Sequence, residues 1–336
     1  MTAPHHPHKG PFLRALRPGD HFTGFYILRS KQLEPFRDPG RGRFLTLILS
    51  DASGQMRARV WEGGEDLYGL LELRSALKVQ GEVEEYLDRI QIRVFNVRTA
   101  KSREYDRRDM LPSSERSRTE MLAELQNHIE KISHPHLRPL VDHFFSNEDT
   151  ISEFSRAPAA RQVHHAYIGG LLEHTLELLA IGETVIQVYP QINADLLRCG
   201  ILLHDIGKVR EFTWETDIDY SDEGRLFGHI IIGDEMVNAA VKALDGFPTE
   251  LALQLRHMLL AHHGRHEWGS PRRPQSLEAI ALHSIENLGA QVNRFHLILN
   301  KVPPGEHWSA YDRLLARHLY SSPDPDLNIE ERTIQE

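Results

Sequence analysis

The sequence predicts a multidomain protein in which an all-β barrel is followed by an all-α helical bundle. Short runs of alternating apolar and polar residues occur up to about residue 103, and apolar residues recur at helical spacing from residue 161 onward. Most of the 21 histidines lie in that second part. A chain of 336 residues is long enough to bury two cores.

The bulk composition is that of an ordinary globular protein, with 40% hydrophobic and 26% charged residues. The single cysteine, Cys199, excludes an internal disulfide and fits a reducing compartment, so we expect a cytoplasmic protein. The sequence contains no apolar run of membrane-spanning length, and its first residues lack a signal-peptide pattern. We therefore expect no membrane partner, and the composition leaves a homo-oligomer open.

Charge is distributed unevenly along the chain. The net charge is −9 overall, but residues 11–103 contain 16 Lys and Arg against 12 Asp and Glu, a net charge of +4, while residues 104–336 carry −14. A basic N-terminal domain joined to an acidic one predicts that a polyanion is bound first at the N-terminal end.

The N-terminal domain is expected to follow the OB-fold plan. Residues 1–10 are rich in Pro and His and are predicted to be a disordered leader, and the domain itself is assigned to residues 11–103. Alternation in segments such as RFLTLILSD predicts half-buried strands, the sequence at 51–54 predicts a turn, and 65–73 predicts a short helix. Five strands with one helix between the third and the fourth are typical of an OB-fold.

OB-folds bind single-stranded nucleic acid with basic groups along the backbone and with aromatic rings that stack on the bases. For Phe36, burial in the core is the alternative role, and for Arg57 and Arg59 it is a solvated strand face. The candidate strand-binding residues are Arg29, Lys31, Phe36, Arg57, Arg59 and Trp61.

Residues 104–160 are predicted to be a linker and a helical connection, with helical periodicity over 119–145 that Pro135 and Pro139 interrupt. The helical bundle is assigned to 161–320, with Asn193, Thr249 and Ser276 as helix caps and a loop or short hairpin at 212–227. Residues 321–336 are expected to be a C-terminal tail.

The segment LLHDIGKV, residues 202–209, carries the strongest chemical signal. An apolar run places His204 beside Asp205, and Lys208 follows one helical turn later. An ordinary surface His-Asp pair is the alternative, but further histidines and a carboxylate lie in or beside helix-periodic segments. These residues are His174, His229, His262, His263 and Glu286. Such residues on several helices predict a metal site inside the bundle.

The order of these residues resembles the HD superfamily of metal-dependent phosphohydrolases. The segments HHAYIGGLLEHT, LLHDIGKV, GHIIIG, HHGRHEWGSP and WSAYDRLLARHLY are similar to its branch of YhaM-type 3′-5′ exoribonucleases. The line LTLILSDASGQMRARVWEG resembles the OB domain that precedes the HD domain in that branch. The resemblance covers nearly the whole chain.

The resemblance implies a two-metal site in which Asp205 bridges the ions. One ion would be held by His174, His204, Asp205 and Glu286, and the other by His229, His262 and His263. Imidazole and carboxylate ligands suit manganese first, with Fe, Co, Ni, Zn or Mg as alternatives.

The resemblance also implies roles around the metals. Asp205 and Lys208 would act in catalysis, with Lys208 neutralising charge on the phosphate. His164 and His165 would contact the substrate, unless His165 supports a ligand. A surface lysine is the alternative for Lys208, and support of a ligand is the alternative for His263.

The sequence departs from the family pattern at two positions. Glu286 stands where the family usually has Asp, and Gly289 stands where the branch commonly has a second Asp. These changes put the native metal and the support of the ligands in doubt.

The expected function is therefore a metal-dependent 3′-5′ exoribonuclease. Its OB domain would bind single-stranded RNA, and also DNA if the preference is broad, and its HD site would release 5′-nucleotides. The alternatives are an HD phosphohydrolase of free or cyclic nucleotides and a nucleic-acid-binding protein whose HD site has decayed.

Overall fold

The computed structural model describes residues 9–36, 38–86, 89–106, 109–161, 165–214, 217–303, 305–313 and 315–322. The predictions for residues 1–8, for His164 and for most of the C-terminal tail lie outside the described residues. None of the described helices combines the length and the apolarity that a membrane crossing requires.

The N-terminal domain is a closed five-stranded barrel with the strand order β1-β2-β3-β5-β4. Its strands are β1 (His21–Pro35), β2 (Arg43–Asp51), β3 (Gly54–Val60), β4 (Ala76–Tyr86) and β5 (Arg89–Thr99). Helix α1 (Gly64–Leu70) lies between β3 and β4, and β3 pairs with β5 in parallel. This topology confirms the predicted OB-fold.

The barrel encloses an apolar core to which Leu45, Leu47 and Leu49 of β2 each contribute a fully buried side chain. The predicted disordered leader does not extend to Lys9, which is 1% exposed and lies 2.9 Å from a carboxylate oxygen of Asp51. A buried ammonium group needs such a partner. The pattern of the leader sequence could not reveal this contact, because the partner is on a distant strand.

The connecting region shares its core with the helical bundle. It contains α2 (Arg118–Glu130), α3 (Leu137–Phe145) and α4 (Glu148–Phe154). Leu125 of α2 and Phe144 of α3 belong to the same buried cluster as residues of the following helices. The predicted boundary at residue 161 is therefore not a boundary between hydrophobic cores.

The bundle itself contains helices on both sides of a small hairpin. Its elements are α5 (Gly170–Val188), α6 (Ala194–Leu203), α7 (Lys208–Glu211), β6 (Phe212–Thr213), β7 (Asp219–Tyr220), α8 (Asp222–Ala243), α9 (Thr249–Ala261) and α10 (Leu277–Leu299). The predicted hairpin ends at Tyr220, because the residues after Ser221 already form the first turns of α8.

The predicted caps of α6 and α10 are confirmed: Asn193 and Ser276 accept hydrogen bonds from main-chain N–H groups of the first turn. Thr249 is instead the first residue of α9, after Pro248. Gly228 interrupts α8 with φ 72° and ψ 157°, a conformation that glycine adopts without strain. This break separates the first turns of α8 from the part that begins at His229.

Glu183 of α5 forms ion pairs with α6 and with the connecting region. Two nitrogens of the Arg198 guanidinium each lie 2.9 Å from one of its oxygens, and Nζ of Lys131, the residue after α2, lies 3.3 Å from one of them. The hydrogen bonds from Arg198 lower the pKa of Glu183 to about 2, from an ordinary value of 4.5. A carboxylate with a lowered pKa adds stability that is complete above its ordinary pKa and is lost as the pH falls toward the lowered value.

We expect Glu183→Gln to lower the free energy of unfolding by about 2 kcal/mol at pH 7, because charge-assisted hydrogen bonds are lost. As the pH falls from 4.5 to 2 the wild type loses the same contribution, so the free energies of unfolding of the two proteins should converge. Urea denaturation at pH 7 and pH 3 measures the difference, with the exposed Glu120→Gln as control. A difference that stays constant over this pH range would contradict the prediction.

Candidate metal centre

The helices of the bundle bring the predicted ligands to one buried point. His174 lies in the second turn of α5, and His204 and His262 are the C-cap residues that directly follow α6 and α9. These three histidines are at most 1% exposed, as is Asp205. Glu286, in the middle of α10, is 8% exposed.

One group of candidate ligands consists of His174, His204 and Glu286. A carboxylate oxygen of Glu286, Oε2, lies 3.0 Å from Nε2 of His174 and 3.6 Å from Nε2 of His204. Oδ2 of Asp205 lies 3.7 Å and 3.2 Å from the same two nitrogens. Four side chains thus direct oxygen and nitrogen atoms at a common volume.

A second group consists of His229, His262 and His263, whose ligand atoms lie within 4.8 Å of one another. It faces the other oxygen of Asp205: Oδ1 lies 3.5 Å from Nε2 of His229 and 3.7 Å from Nε2 of His262. Asp205 therefore presents one oxygen to each group.

Hydrogen bonds orient the rings of His204 and His262. Nδ1 of His204 lies 2.7 Å from the carbonyl oxygen of Ile201, and Nδ1 of His262 lies 2.7 Å from that of Leu259. These carbonyls belong to the last turns of α6 and α9, where main-chain acceptors lack partners within the helix. Because a carbonyl oxygen only accepts, Nδ1 carries a proton in both rings, which leaves Nε2 as the atom that can offer its lone pair to a cation.

Two supporting contacts were not foreseen from the sequence. Oε1 of Glu211 lies 3.0 Å from Nδ1 of His229 and accepts a second hydrogen bond from the main-chain N–H of His229. Nδ1 of His263 lies 2.8 Å from the main-chain oxygen of Trp268. Burial opposes the charge on Glu211, but the bond from His229 and its charge outweigh it, and the pKa of Glu211 is lowered.

We expect Glu211→Gln to weaken metal binding and activity about tenfold, because it removes the charged acceptor that orients His229. Calorimetric titration with Mn²⁺ measures the affinity. Glu235→Gln, an exposed change on α8, the helix that carries His229, should have no effect. An unchanged affinity in Glu211→Gln would exclude this role for Glu211.

The residues of the centre fit a divalent metal ion. Nε2 of His204, His229 and His262 is buried and has no hydrogen-bond partner among the described residues. Buried polar atoms without partners are costly, and a cation would satisfy them. Ligand atoms about 2.0–2.2 Å from one ion are about 3–3.6 Å from each other, close to the separations measured here.

Lys208 is also part of the centre. The residue is 7% exposed, which excludes a surface lysine, and Nζ lies 2.6 Å from Oδ2 of Asp205. Burial opposes the charge on Asp205, but Lys208 and His204 outweigh it and hold the pKa of Asp205 well below its usual range. The carboxylate is therefore ionised when the site binds a cation.

His165 does not lie where a substrate would reach it. It is 5% exposed, and its ring nitrogens lie 2.7 Å from the Tyr167 hydroxyl and 3.1 Å from Oε2 of Glu177. Its ring centroid is 5.5 Å from that of His174. This position favours the alternative, in which His165 supports a ligand.

The two departures from the family pattern lie on α10. The longer Glu286 reaches His174 directly. A Cβ atom at Gly289 would lie 3.1 Å from Cδ2 of Leu178 on α5, so a side chain at this position would meet Leu178 first. The glycine therefore allows α5 and α10 to pack closely at this point.

On the barrel, two of the six strand-binding candidates have partners within the protein. Arg29 donates a 2.6 Å hydrogen bond to Ser50 and forms an ion pair with Asp217 of the bundle. The ammonium group of Lys31 donates a hydrogen bond of 2.6 Å to the main-chain oxygen of Leu71. Both cations serve contacts within the protein.

The other four candidates lie near one another. Phe36 and Trp61 are half-buried, with ring centroids 5.8 Å apart, so Phe36 is not a core residue. The guanidinium of Arg59 lies 5.4 Å from the Trp61 ring. Arg57 and Arg59 line a groove of about 400 Å³, together with Tyr86, Arg89, Ile90 and Gln91.

Comparison with known proteins gives matches for both domains. The model of the HD domain family matches residues 171–290. This match and the buried His and carboxylate groups indicate binding of divalent metal. The barrel is similar to the second OB-fold domain of replication protein A from Methanococcus maripaludis, with 20% identity and a TM-score of 0.22, covering 27% of this chain and 93% of that chain.

Two relatives match nearly the whole chain, and both are named 3′-5′ exoribonuclease YhaM. The one from Shouchella clausii (strain KSM-K16) is 34% identical over 297 residues, which cover 88% of this chain and 91% of the relative. The one from Bacillus pumilus (strain SAFR-032) is 34% identical over 280 residues, covering 82% and 88%. The chain belongs to the family of 3′-5′ exoribonuclease YhaM.

Proposed function

We propose that this protein is a metal-dependent 3′-5′ exoribonuclease that binds single-stranded RNA through its barrel. The observation that carries the proposal is the position of Asp205, which presents one carboxylate oxygen to each of two buried ligand groups. The names of the relatives supply the substrate and the direction of digestion.

The proposed metal centre holds two divalent ions, with manganese as the expected native metal. His174, His204 and Glu286 would hold one ion, His229, His262 and His263 the other, and Asp205 both. When bound, such ions polarise phosphoryl oxygens and make water a better nucleophile. Hydrolysis adds water across the bond between phosphorus and the 3′-oxygen of the preceding nucleotide, so a 5′-nucleotide leaves and the strand keeps a 3′-hydroxyl.

The protein's own groups have separate tasks in this reaction. Lys208, paired with Asp205, provides a buried positive charge for the phosphate oxygens. The hydrogen bonds to Ile201 and Leu259 keep the lone pairs of His204 and His262 directed at the centre before the substrate arrives. Fixed groups of this kind lower the cost of reorganisation during the reaction.

The barrel is proposed to hold the strand on the face that carries Phe36, Arg57, Arg59 and Trp61. Aromatic rings that stack on bases and arginines that follow the phosphates suit a single strand of any sequence. A cytoplasmic setting agrees with Cys199, which is buried and free.

A comparison of substrates and metals tests this function. Protein stripped of metal with a chelator is given Mn²⁺, Mg²⁺, Co²⁺ or Zn²⁺ in turn, with single-stranded RNA, a cyclic dinucleotide or a nucleoside triphosphate as substrate. We expect nucleoside 5′-monophosphates from RNA, fastest with Mn²⁺. Turnover of the small nucleotides with none of RNA would support a small-molecule phosphohydrolase, and binding of RNA without turnover in any metal would support a decayed site.

A further inference from the structure

A cleft of about 830 Å³ lies where the barrel meets the rest of the chain. Arg74 lines it from the barrel, and Trp214 and Asp217 line it from the hairpin of the bundle. Four residues of the connection line it as well: Ser113, Ser114, Arg116 and Arg118. Its size falls within the range of about 300–1,000 Å³ that is typical of ligand sites, which often lie between domains.

Ion pairs at the hairpin hold the two sides of the cleft together. Asp219 of β7 has a side chain that is only 2% exposed, and it pairs with Arg74 of the barrel and with Arg161 and Arg225 of the bundle. One buried carboxylate facing three arginines leaves positive charge in excess at this junction.

The opposite wall of the cleft carries three arginines, Arg116, Arg118 and Arg156, against one carboxylate, Glu153. Arg118 donates its Nε hydrogen bond to Ser155, and Arg156 is exposed. Neither of the two has an ion-pair partner in the part of the chain that the structure describes. Residues 104–336 have a net charge of −14, so this surplus of arginines runs against the composition of that part of the chain. A polyanion is the ligand that such a surface attracts.

Two more groups suit a nucleotide in particular. Trp214 packs against the core of the bundle and lines the cleft, where an indole ring can stack on a base. Ser113 and Ser114 line the same cleft and supply hydroxyl groups. Arginine, aromatic ring and hydroxyl together match phosphate, base and sugar.

The cleft also adjoins the metal centre through one short helix. Lys208 opens α7 and contacts Asp205, while Val209, the next residue, lines the cleft. A strand in the cleft would thus run between the barrel, at Arg74, and the helix that carries Lys208.

We propose that this cleft binds the phosphates of a single-stranded nucleic acid and leads the strand from the barrel to the metal centre. The proposal rests on the proposed exoribonuclease function and adds a second binding surface to it. It assigns the phosphate contacts to Arg118 and Arg156.

The test uses the full-length protein without metal, so that binding is measured without turnover. Anisotropy of labelled RNA strands of about 4, 8 and 20 nucleotides is compared between the wild type and Arg118→Gln/Arg156→Gln. We expect about tenfold weaker binding of the longest strand, and a salt dependence that falls by about 0.7 for each arginine removed. Arg118→Lys/Arg156→Lys keeps both charges and should therefore keep the salt dependence of the wild type. Equal midpoints of thermal unfolding in the wild type and the variants would show that the fold is unchanged.

The control is Arg14→Gln/Lys242→Gln, which removes two exposed cations that do not line the cleft. An equal loss in this control would overturn the proposal in favour of general electrostatics. Unchanged strand binding in the arginine variant would also overturn it, while RNA digestion by the wild type would still support the proposed function. If AMP bound at the cleft of the wild type and the arginine variant still bound the strand with wild-type affinity, the cleft would be assigned to a free nucleotide.

Discussion

Replacement of Asp205 by Asn is expected to lower the rate of RNA hydrolysis at least about 1,000-fold. The change removes the charge that the two ligand groups share and turns an amide nitrogen, a hydrogen-bond donor, toward one of them. The lone pairs of His204 and His262 would then face a donor or a neutral oxygen instead of a carboxylate.

The same variant should lose metal as well as activity. Metal content after dialysis, measured by atomic spectroscopy, should fall for both ions, because each oxygen of Asp205 faces a different group. Asp245→Asn, an exposed change in the same domain, should keep both metal and activity. An Asp205→Asn protein that keeps its metal and stays within tenfold of the wild-type rate would contradict the bridging role.

The second large effect is expected on the barrel. Arg59→Ala/Trp61→Ala should weaken the binding of single-stranded RNA about 100-fold, because a stacked base contributes about 1–3 kcal/mol and a phosphate contact is lost as well. The guanidinium of Arg59 also lies 5.5 Å and 5.6 Å from the rings of Phe44 and Tyr86, so the change also removes the cation that contacts these two rings.

A chemically matched pair on the same barrel serves as the control. Arg93 lies 5.7 Å from the ring of Phe95, which is 52% exposed, and neither lines the groove of Arg57 and Arg59. Arg93→Ala/Phe95→Ala should leave binding unchanged. Equal losses in both double variants would mean that no particular face of the barrel holds the strand.

The order of secondary structure and the identity of the candidate ligands were predictable from local pattern. The strand β2 and the helix between β3 and β4 depend on neighbouring residues, and so do the caps Asn193 and Ser276. The alternation in β2 predicted a half-buried strand, but β2 is buried on both faces. His204 could be singled out because an apolar run precedes it and Asp205 follows.

The contacts that the sequence did not reveal join distant parts of the chain. Arg29 and Lys31 look like strand-binding cations, but their partners are Asp217 of the bundle and the main chain after α1. Glu211 resembles the other acids near the hairpin, and only the fold places it against His229. Periodicity cannot show such pairings, because it reports which face a residue occupies and not what lies opposite.

The measurement that tests the central claim most directly is the digestion of 5′-labelled single-stranded RNA with Mn²⁺, beside the Asp205→Asn variant, with products resolved by length. We predict a ladder that shortens from the 3′ end in the wild type and intact RNA in the variant. Internal cuts, shortening from the 5′ end, or an equal ladder in the variant would contradict a 3′-5′ exoribonuclease whose chemistry lies at Asp205.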